Sequence, residues 1–160
     1  MMETAGWFRK AGSTEPVFLA TVDLTAVGEL RSFEGCRALV VEDNELSREL
    51  LTEFLKDFGF SVEGACNGAE GVDRFSASEP FYYDVVLMDM QMPIMEGDEA
   101  TRAIRALDRP DGDVPIIAQT ADALHDGSRR AEAADMTALI RKPINLRELQ
   151  YILSELVCVH

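Results

Sequence analysis

The stretch Val85-Val86-Leu87-Met88-Asp89-Met90-Gln91-Met92-Pro93 decides how the rest of this chain is read. Four apolar residues run without a polar break, and a carboxylate ends the run. A helix with one apolar face would break the run every third or fourth residue, and a half-buried strand every second. An unbroken run suits a strand covered on both faces, as in a parallel sheet between helices. Asp89 then stands at the carboxyl end of that strand.

Working outward, the same form recurs in Ala38-Leu39-Val40-Val41, Ile116-Ile117-Ala118 and Leu139-Ile140, with residues 61–66 as a weaker fifth run. The segments between have helical period. Leu46, Leu50, Leu51, Phe54, Leu55 and Phe58 make one apolar stripe, and Gly59 is a natural stop. Asn67 precedes Ala69, Val72 and Phe75. Ala100, Ala103, Ile104 and Leu107 continue the style up to Pro110. Residues 123–134 are alanine-rich with a weak stripe. Asn145 is placed to cap the last helix, with Glu148 three residues on in a capping-box arrangement. The stripe of that helix is Leu146, Leu149, Ile152, Leu153 and Leu156. Five strands alternating with five helices predict an α/β domain, a doubly wound five-stranded parallel sheet flanked by five helices.

Residues 1–34 break this pattern. Gly6, Gly12, Ser13, Thr14, Pro16 and Gly28 are mixed with one short apolar stretch, residues 17–20. The expectation is a linker or flanking segment, partly disordered, ahead of a domain over residues 35–160. Residues 17–22 have the composition of a stray strand.

A length of 160 residues suits one domain, and 47% hydrophobic residues suffice for one core. The formal net charge of -14 argues against nucleic-acid binding by this chain, because phosphate contacts need Lys and Arg. Such acidity reads either as an ordinary solvated surface or as carboxylates clustered around a cation. Cys36, Cys66 and Cys158 match neither a zinc site nor a disulfide framework, which fits a reducing, cytoplasmic setting. Neither a signal-peptide core nor a membrane-length apolar run is present, so no membrane contact is expected of this chain.

Ligands of open α/β sheets bind beyond the carboxyl ends of the strands. The first run ends in Glu42-Asp43 and the third in Asp89. The fourth is followed by Gln119-Thr120, and the fifth by Arg141-Lys142-Pro143. Three carboxylates, a hydroxyl and an ammonium thus converge on one end of the sheet. Clustered carboxylates repel one another unless a cation sits among them. An all-oxygen site with few carboxylates suits Mg²⁺ together with a phosphate oxygen. Asp89 is then a candidate nucleophile, because carboxylates form aspartyl-phosphates. Thr120 and Lys142 have the groups to hydrogen-bond and neutralise phosphoryl oxygens. Taken singly, Asp43 reads as a helix cap, Lys142 as a surface lysine and Thr120 as a turn residue. Their joint placement at corresponding strand ends is what points to a site.

Residues 37–156 resemble the receiver domain of response regulators and hybrid histidine kinases. The matching segments are Ala38-Leu39-Val40-Val41-Glu42-Asp43-Asn44, Val85 through Pro93 as quoted, Ile116-Ile117-Ala118-Gln119-Thr120-Ala121 and Arg141-Lys142-Pro143. The run from Met88 to Pro93, with Gly97, is most like receivers attached to hybrid kinases. The resemblance implies a flavodoxin-like fold. It implies a phosphoryl group passed from a histidine kinase, or a histidine phosphotransfer domain, onto Asp89 in a Mg²⁺-dependent reaction. Glu42 and Asp43 would help place the metal, with Asp89 and the backbone carbonyl of Met90 as further ligands. Thr120 and Lys142 would contact the phosphoryl group, and the Lys142–Pro143 bond would be cis. Such a domain is a signalling module rather than an enzyme, capable only of self-phosphorylation and slow self-dephosphorylation. With the pattern stopping after the fifth helix, the expectation is either a single-domain regulator or a fragment of a hybrid kinase, and the linker-like start favours the fragment.

Three positions depart from the family pattern. Leu139 stands where an aromatic or His is usual, Asp135 where glycine is frequent, and Glu96 where aspartate usually precedes Gly97. In the family, phosphorylation draws the residue at Thr120 inward and the aromatic turns to fill the space. Leu139 has no ring, so a small conformational change is expected. His125, in the fourth helix, reads as a surface residue rather than a phosphorelay histidine. Three rivals are weaker. A phosphorylation-independent interaction module would not need all five site residues. A haloacid-dehalogenase-type phosphatase would need a carboxylate at Gln91. A nucleotide-binding domain would need a Gly-rich loop after the first strand.

Overall fold

The computed structural model describes residues 6–26, 28, 32–122 and 126–157. Two two-residue strands, β1 (Trp7–Phe8) and β2 (Val17–Phe18), precede the regular alternation. It runs β3 (Arg37–Val41), α1 (Glu45–Phe58), β4 (Ser61–Ala65), α2 (Gly68–Ala77) and β5 (Val85–Asp89). It continues through α3 (Gly97–Arg105), β6 (Ile116–Thr120), α4 (Asp126–Ala133), β7 (Ala138–Arg141) and α5 (Leu146–Leu156). One sheet holds them all in the order β2-β1-β7-β6-β5-β3-β4. The five long strands are parallel. Their order reverses at β3, and that switch point is where an open α/β sheet forms its ligand crevice.

Alternate residues of each strand feed two cores, as the two-residue period of a strand demands. Leu39, Val41, Val86, Met88, Ile116, Ala118 and Leu139 pack with Phe75 of α2, Ile104 of α3 and Ala131 of α4. Ala38, Val40, Val85, Leu87, Ile117 and Ile140 pack with Leu51 and Leu55 of α1 and Leu149, Ile152 and Leu153 of α5. Each fully buried Val, Leu, Ile, Phe or Met among them contributes about 1.5–3 kcal/mol, so both helical layers are firmly held.

Local signals set the helix ends. Asn44 Oδ1 accepts from Ser47 N at 2.9 Å and Asn67 Oδ1 from Glu70 N at 2.9 Å. Asn145 Oδ1 accepts from both Arg147 N and Glu148 N. Gly59 closes α1 at φ 113, in the left-handed region that glycine enters without strain. α3 ends at Arg105, ahead of Pro110. Residues 123–125, including His125, and residues 158–160, including Cys158, lie outside the described residues.

Two outcomes differ from the simplest reading of the pattern. Within the segment read as linker, residues 7–8 and 17–18 add to the sheet: β1 pairs antiparallel with β7, and β2 with β1. Leu46 and Leu50, counted in the α1 stripe, are 74% and 54% exposed. Only Leu51 and Leu55 of that stripe are fully buried, because the stripe is wider than the face the sheet covers.

Candidate active site

β3, β5, β6 and β7 end side by side, so parallel register delivers their terminal residues to one cleft. Glu42 follows β3 and is buried, and Asp43 beside it is exposed. Asp89 ends β5 at 4% exposure. One carboxylate oxygen from each of Glu42, Asp43 and Asp89 lies within 4.8 Å of the others. Lys142 Nζ reaches in from beyond β7, 3.2 Å from both Glu42 Oε1 and Asp89 Oδ1. Its backbone N–H donates to Thr120 O at 2.8 Å, and the Lys142–Pro143 peptide is cis. Thr120 Oγ1 donates to Asp122 O at 3.1 Å and accepts from Asp122 N at 3.0 Å. The cleft, about 320 Å³, is lined by these residues with Asn44, Ser47, Gln91 and Ala121.

The electrostatics follow from the packing. Burial, followed by the neighbouring Asp89 carboxylate, raises the pKa of Glu42, and Lys142 only partly opposes this. Burial works to lower the pKa of Lys142, but Asp89 and Glu42 outweigh it and the ammonium is held above its usual value. Glu42 Oε2 is buried and without a hydrogen-bond partner among the described residues. An unpartnered buried carboxylate oxygen is costly unless a cation meets it.

Sequence reasoning places Glu42, Asp43, Asp89, Thr120 and Lys142 together, and so does the fold. The Met90 carbonyl, expected as a metal ligand, is bonded within the chain. The Met90 carbonyl accepts from Gly97 N at 3.1 Å, and its side chain lies in the core. The next residue, Gln91, lines the cleft, and its N–H donates to Asp89 Oδ1 at 3.2 Å. Past the end of β5 the chain bends, so Met90 turns its side chain into the core while Gln91 borders the cleft. Gly97 is required here because a Cβ would fall 2.2 Å from Asp89 O.

Other functional neighbours escaped the sequence. Arg130 of α4 donates to both carboxylate oxygens of Asp98, at 2.8 and 2.9 Å, and to Glu96 at 2.7 Å, tying α4 to the start of α3. The unusual Glu96 is thus a partner of that arginine. Asp135 adopts φ 63, a left-handed position that Asp tolerates and that suits glycine. Beside the cleft, a second groove of about 530 Å³ is lined by Leu50, Phe54, Pro143 and Ile144 among others. Only the acidic residues of the α3 start hinted at the first of these, and nothing local hinted at the second.

The sequence model of the response regulator receiver domain matches residues 38–154. The peroxide stress-activated histidine kinase mak2 of Schizosaccharomyces pombe is 36% identical over 123 residues, 75% of this chain and 5% of that kinase. The chain therefore spans about a twentieth of such a curated relative. Among solved structures, the receiver domain of sensor histidine kinase PA1611 from Pseudomonas aeruginosa PAO1 is 35% identical with a TM-score of 0.69. It covers 76% of this chain and 97% of that one, and holds a magnesium ion in its active-site cleft. The co-crystal of the Saccharomyces cerevisiae histidine phosphotransfer protein Ypd1 with the receiver domain of Ssk1 matches at 28% identity and TM-score 0.72. That match covers 80% of this chain and 92% of that one. No helix among the described residues is long and apolar enough to cross a membrane.

Proposed function

We propose that this chain, which belongs to the response regulator receiver domain family and is a receiver of a two-component phosphorelay, accepts its phosphoryl group on Asp89. The observation that carries the assignment is the position of Asp89, at the central strand end, 3.2 Å from Lys142 and clustered with Glu42 and Asp43. Asp89 Oδ1 is held by Lys142 and by the Gln91 N–H. The nucleophile is then Oδ2, which forms the bond to phosphorus as the bond to the donor's imidazole nitrogen breaks and its electron pair leaves with that nitrogen. The donor is a phosphohistidine of a histidine kinase or histidine phosphotransfer domain.

The donor set fits Mg²⁺: three carboxylates, all-oxygen, one with an unpartnered buried oxygen. Asp43, Asp89 and the main chain at Gln91 would hold the ion, with Glu42 beside it. The ion supplies charge neutralisation of the transferring phosphoryl oxygens. Lys142 meets one phosphoryl oxygen with its ammonium, and Thr120 offers its hydroxyl to another once it leaves Asp122. These groups provide positioning and charge, the work that phosphoryl transfer demands of a protein. The accepting unit is residues 35–160, with residues 1–34 appended to it, in the cytoplasm.

The test is phosphorylation by acetyl phosphate with Mg²⁺. Native protein should carry an acyl phosphate that mass spectrometry maps to Asp89, and Asp89→Asn should carry none. Asp43→Asn should fold as stably without metal, since Asp43 is exposed, yet phosphorylate poorly. Label on another residue defeats the assignment.

A further inference from the structure

Trp7 is the only tryptophan in the chain and is 1% exposed. It sits opposite Leu139 on β7, and its indole N–H donates to Ser128 Oγ on α4 at 3.1 Å. Gly6 brings the backbone against β7 so closely that a Cβ there would lie 2.0 Å from Leu139 O. Arg9 N donates to Thr137 O at 2.9 Å. Residues 6–9 are therefore fastened to β7 along their main chain and to α4 through a side-chain hydrogen bond.

The far end of that contact is the cleft. Thr120 Oγ1 is committed to Asp122 on both sides of the hydroxyl. Gly127, in the first turn of α4, is pressed on the same turn: a Cβ there would lie 1.9 Å from Asp122 O and 3.1 Å from Thr120 Oγ1. Ser128 is the next residue. A hydroxyl drawn from Asp122 toward a phosphoryl group on Asp89 must release the Asp122 turn, and α4 has no slack there to stay in place. Ser128 then moves relative to Trp7, whose backbone is held by β7 rather than by α4.

We propose that residues 6–9 form a strap whose docking through Trp7 onto Ser128 is coupled to the state of Asp89, favoured when Asp89 is bare and weakened when it carries a phosphoryl group. The inference rests on the assignment of Asp89 and Thr120 above. Coupling of this kind is reciprocal. A docked strap must therefore oppose phosphorylation to the same degree that phosphorylation loosens the strap. Phosphoryl transfer would in this way control the path of the chain that precedes the domain.

The full chain is titrated with beryllofluoride and Mg²⁺. Fluorine NMR reports occupancy of Asp89, and Trp7 emission reports the strap. A bound-fluoride resonance is expected in native protein and absent in Asp89→Asn, with Trp7 emission moving to the red as the resonance grows. Ser128→Ala keeps the indole but removes its partner, and Trp7→Phe keeps a ring without the N–H. Each should bind beryllofluoride about fivefold more tightly, the equilibrium share of one net hydrogen bond. A bound resonance with unchanged Trp7 emission, or with Ser128→Ala binding no tighter than native, overturns the coupling while leaving the Asp89 assignment standing. No bound resonance in native protein overturns both.

Discussion

Lys142 Nζ stands 3.2 Å from Asp89 Oδ1, and the same nitrogen stands 3.2 Å from Glu42 Oε1. One ammonium thus keeps two buried carboxylates together in the metal-free protein. Lys142→Met leaves both without it. The Lys142 side chain is 31% exposed, so screening tempers the loss. Without Mg²⁺ the variant should be less stable by about 1–2 kcal/mol, between the surface and buried limits for ion pairs. Mg²⁺ should narrow the gap by replacing the missing charge. Urea melts with and without Mg²⁺ measure this, and a variant equal to native in metal-free buffer contradicts it.

Arg130 and Asp98 give a pH dependence away from the cleft. Burial raises the pKa of the Asp98 carboxyl, but the hydrogen bonds and charge of Arg130, helped by Glu99 N–H and Arg102, outweigh it and hold it below 3.8. The folded value is depressed, so the contribution is present above 3.8 and is lost as pH falls through the folded value. Arg130→Met should cost about 2 kcal/mol near neutrality, intermediate between exposed and buried pairs. The native-minus-variant difference should shrink in acid. Denaturant melts across an acid series check it, and a constant difference refutes the linkage.

Leu46 and Leu50 remain exposed beside the cleft, and Leu50 lines the groove with Phe54 and Ile144. If the groove is the rim over which a phosphohistidine donor reaches Asp89, a charge there should obstruct docking alone. Leu50→Asp should leave stability within about 0.5 kcal/mol, as for surface changes generally. It should leave acetyl phosphate labelling unchanged, yet slow transfer from a phosphorylated histidine phosphotransfer domain about tenfold or more, the cost of a charge in an apolar contact. Equal slowing with both donors, or with neither, shows that the groove is not the docking rim.

The N-terminal boundary can be placed by truncation. Phe33 is fully buried and stacks on Phe60 with ring centroids 4.9 Å apart. A chain starting at residue 32 should fold cooperatively and accept phosphate, though less stably than the full chain for want of Trp7 and Phe8. A chain starting at residue 34 should lose about a further 3 kcal/mol, the usual cost of deleting a buried phenylalanine. Two truncations of equal stability would show that Phe33 adds nothing.

The parallel sheet and its cleft were legible because they rest on local patterns. A strand buried on both faces needs a continuous apolar run, and the residue that ends each run falls at the sheet's carboxyl edge whatever the loops do. Glu42, Asp43, Asp89, Thr120 and Lys142 therefore reach one place by parallel register alone. Two helix starts were legible for the same reason, since Asn67 and Asn145 bond to amides within three residues, whereas α1 is capped by Asn44 and not by the neighbouring Asp43. What the sequence left undecided depends on partners distant along the chain. Trp7 and Phe8 form too short a strand to show a period, and only the open edge of β7, some 130 residues on, makes them one. Arg130 finds Asp98 across 32 residues. Gln91 rather than Met90 faces the cleft because Met90 is turned to the core and to Gly97. Leu50 is exposed because the sheet stops short of it, and no helical period records where a neighbouring sheet ends.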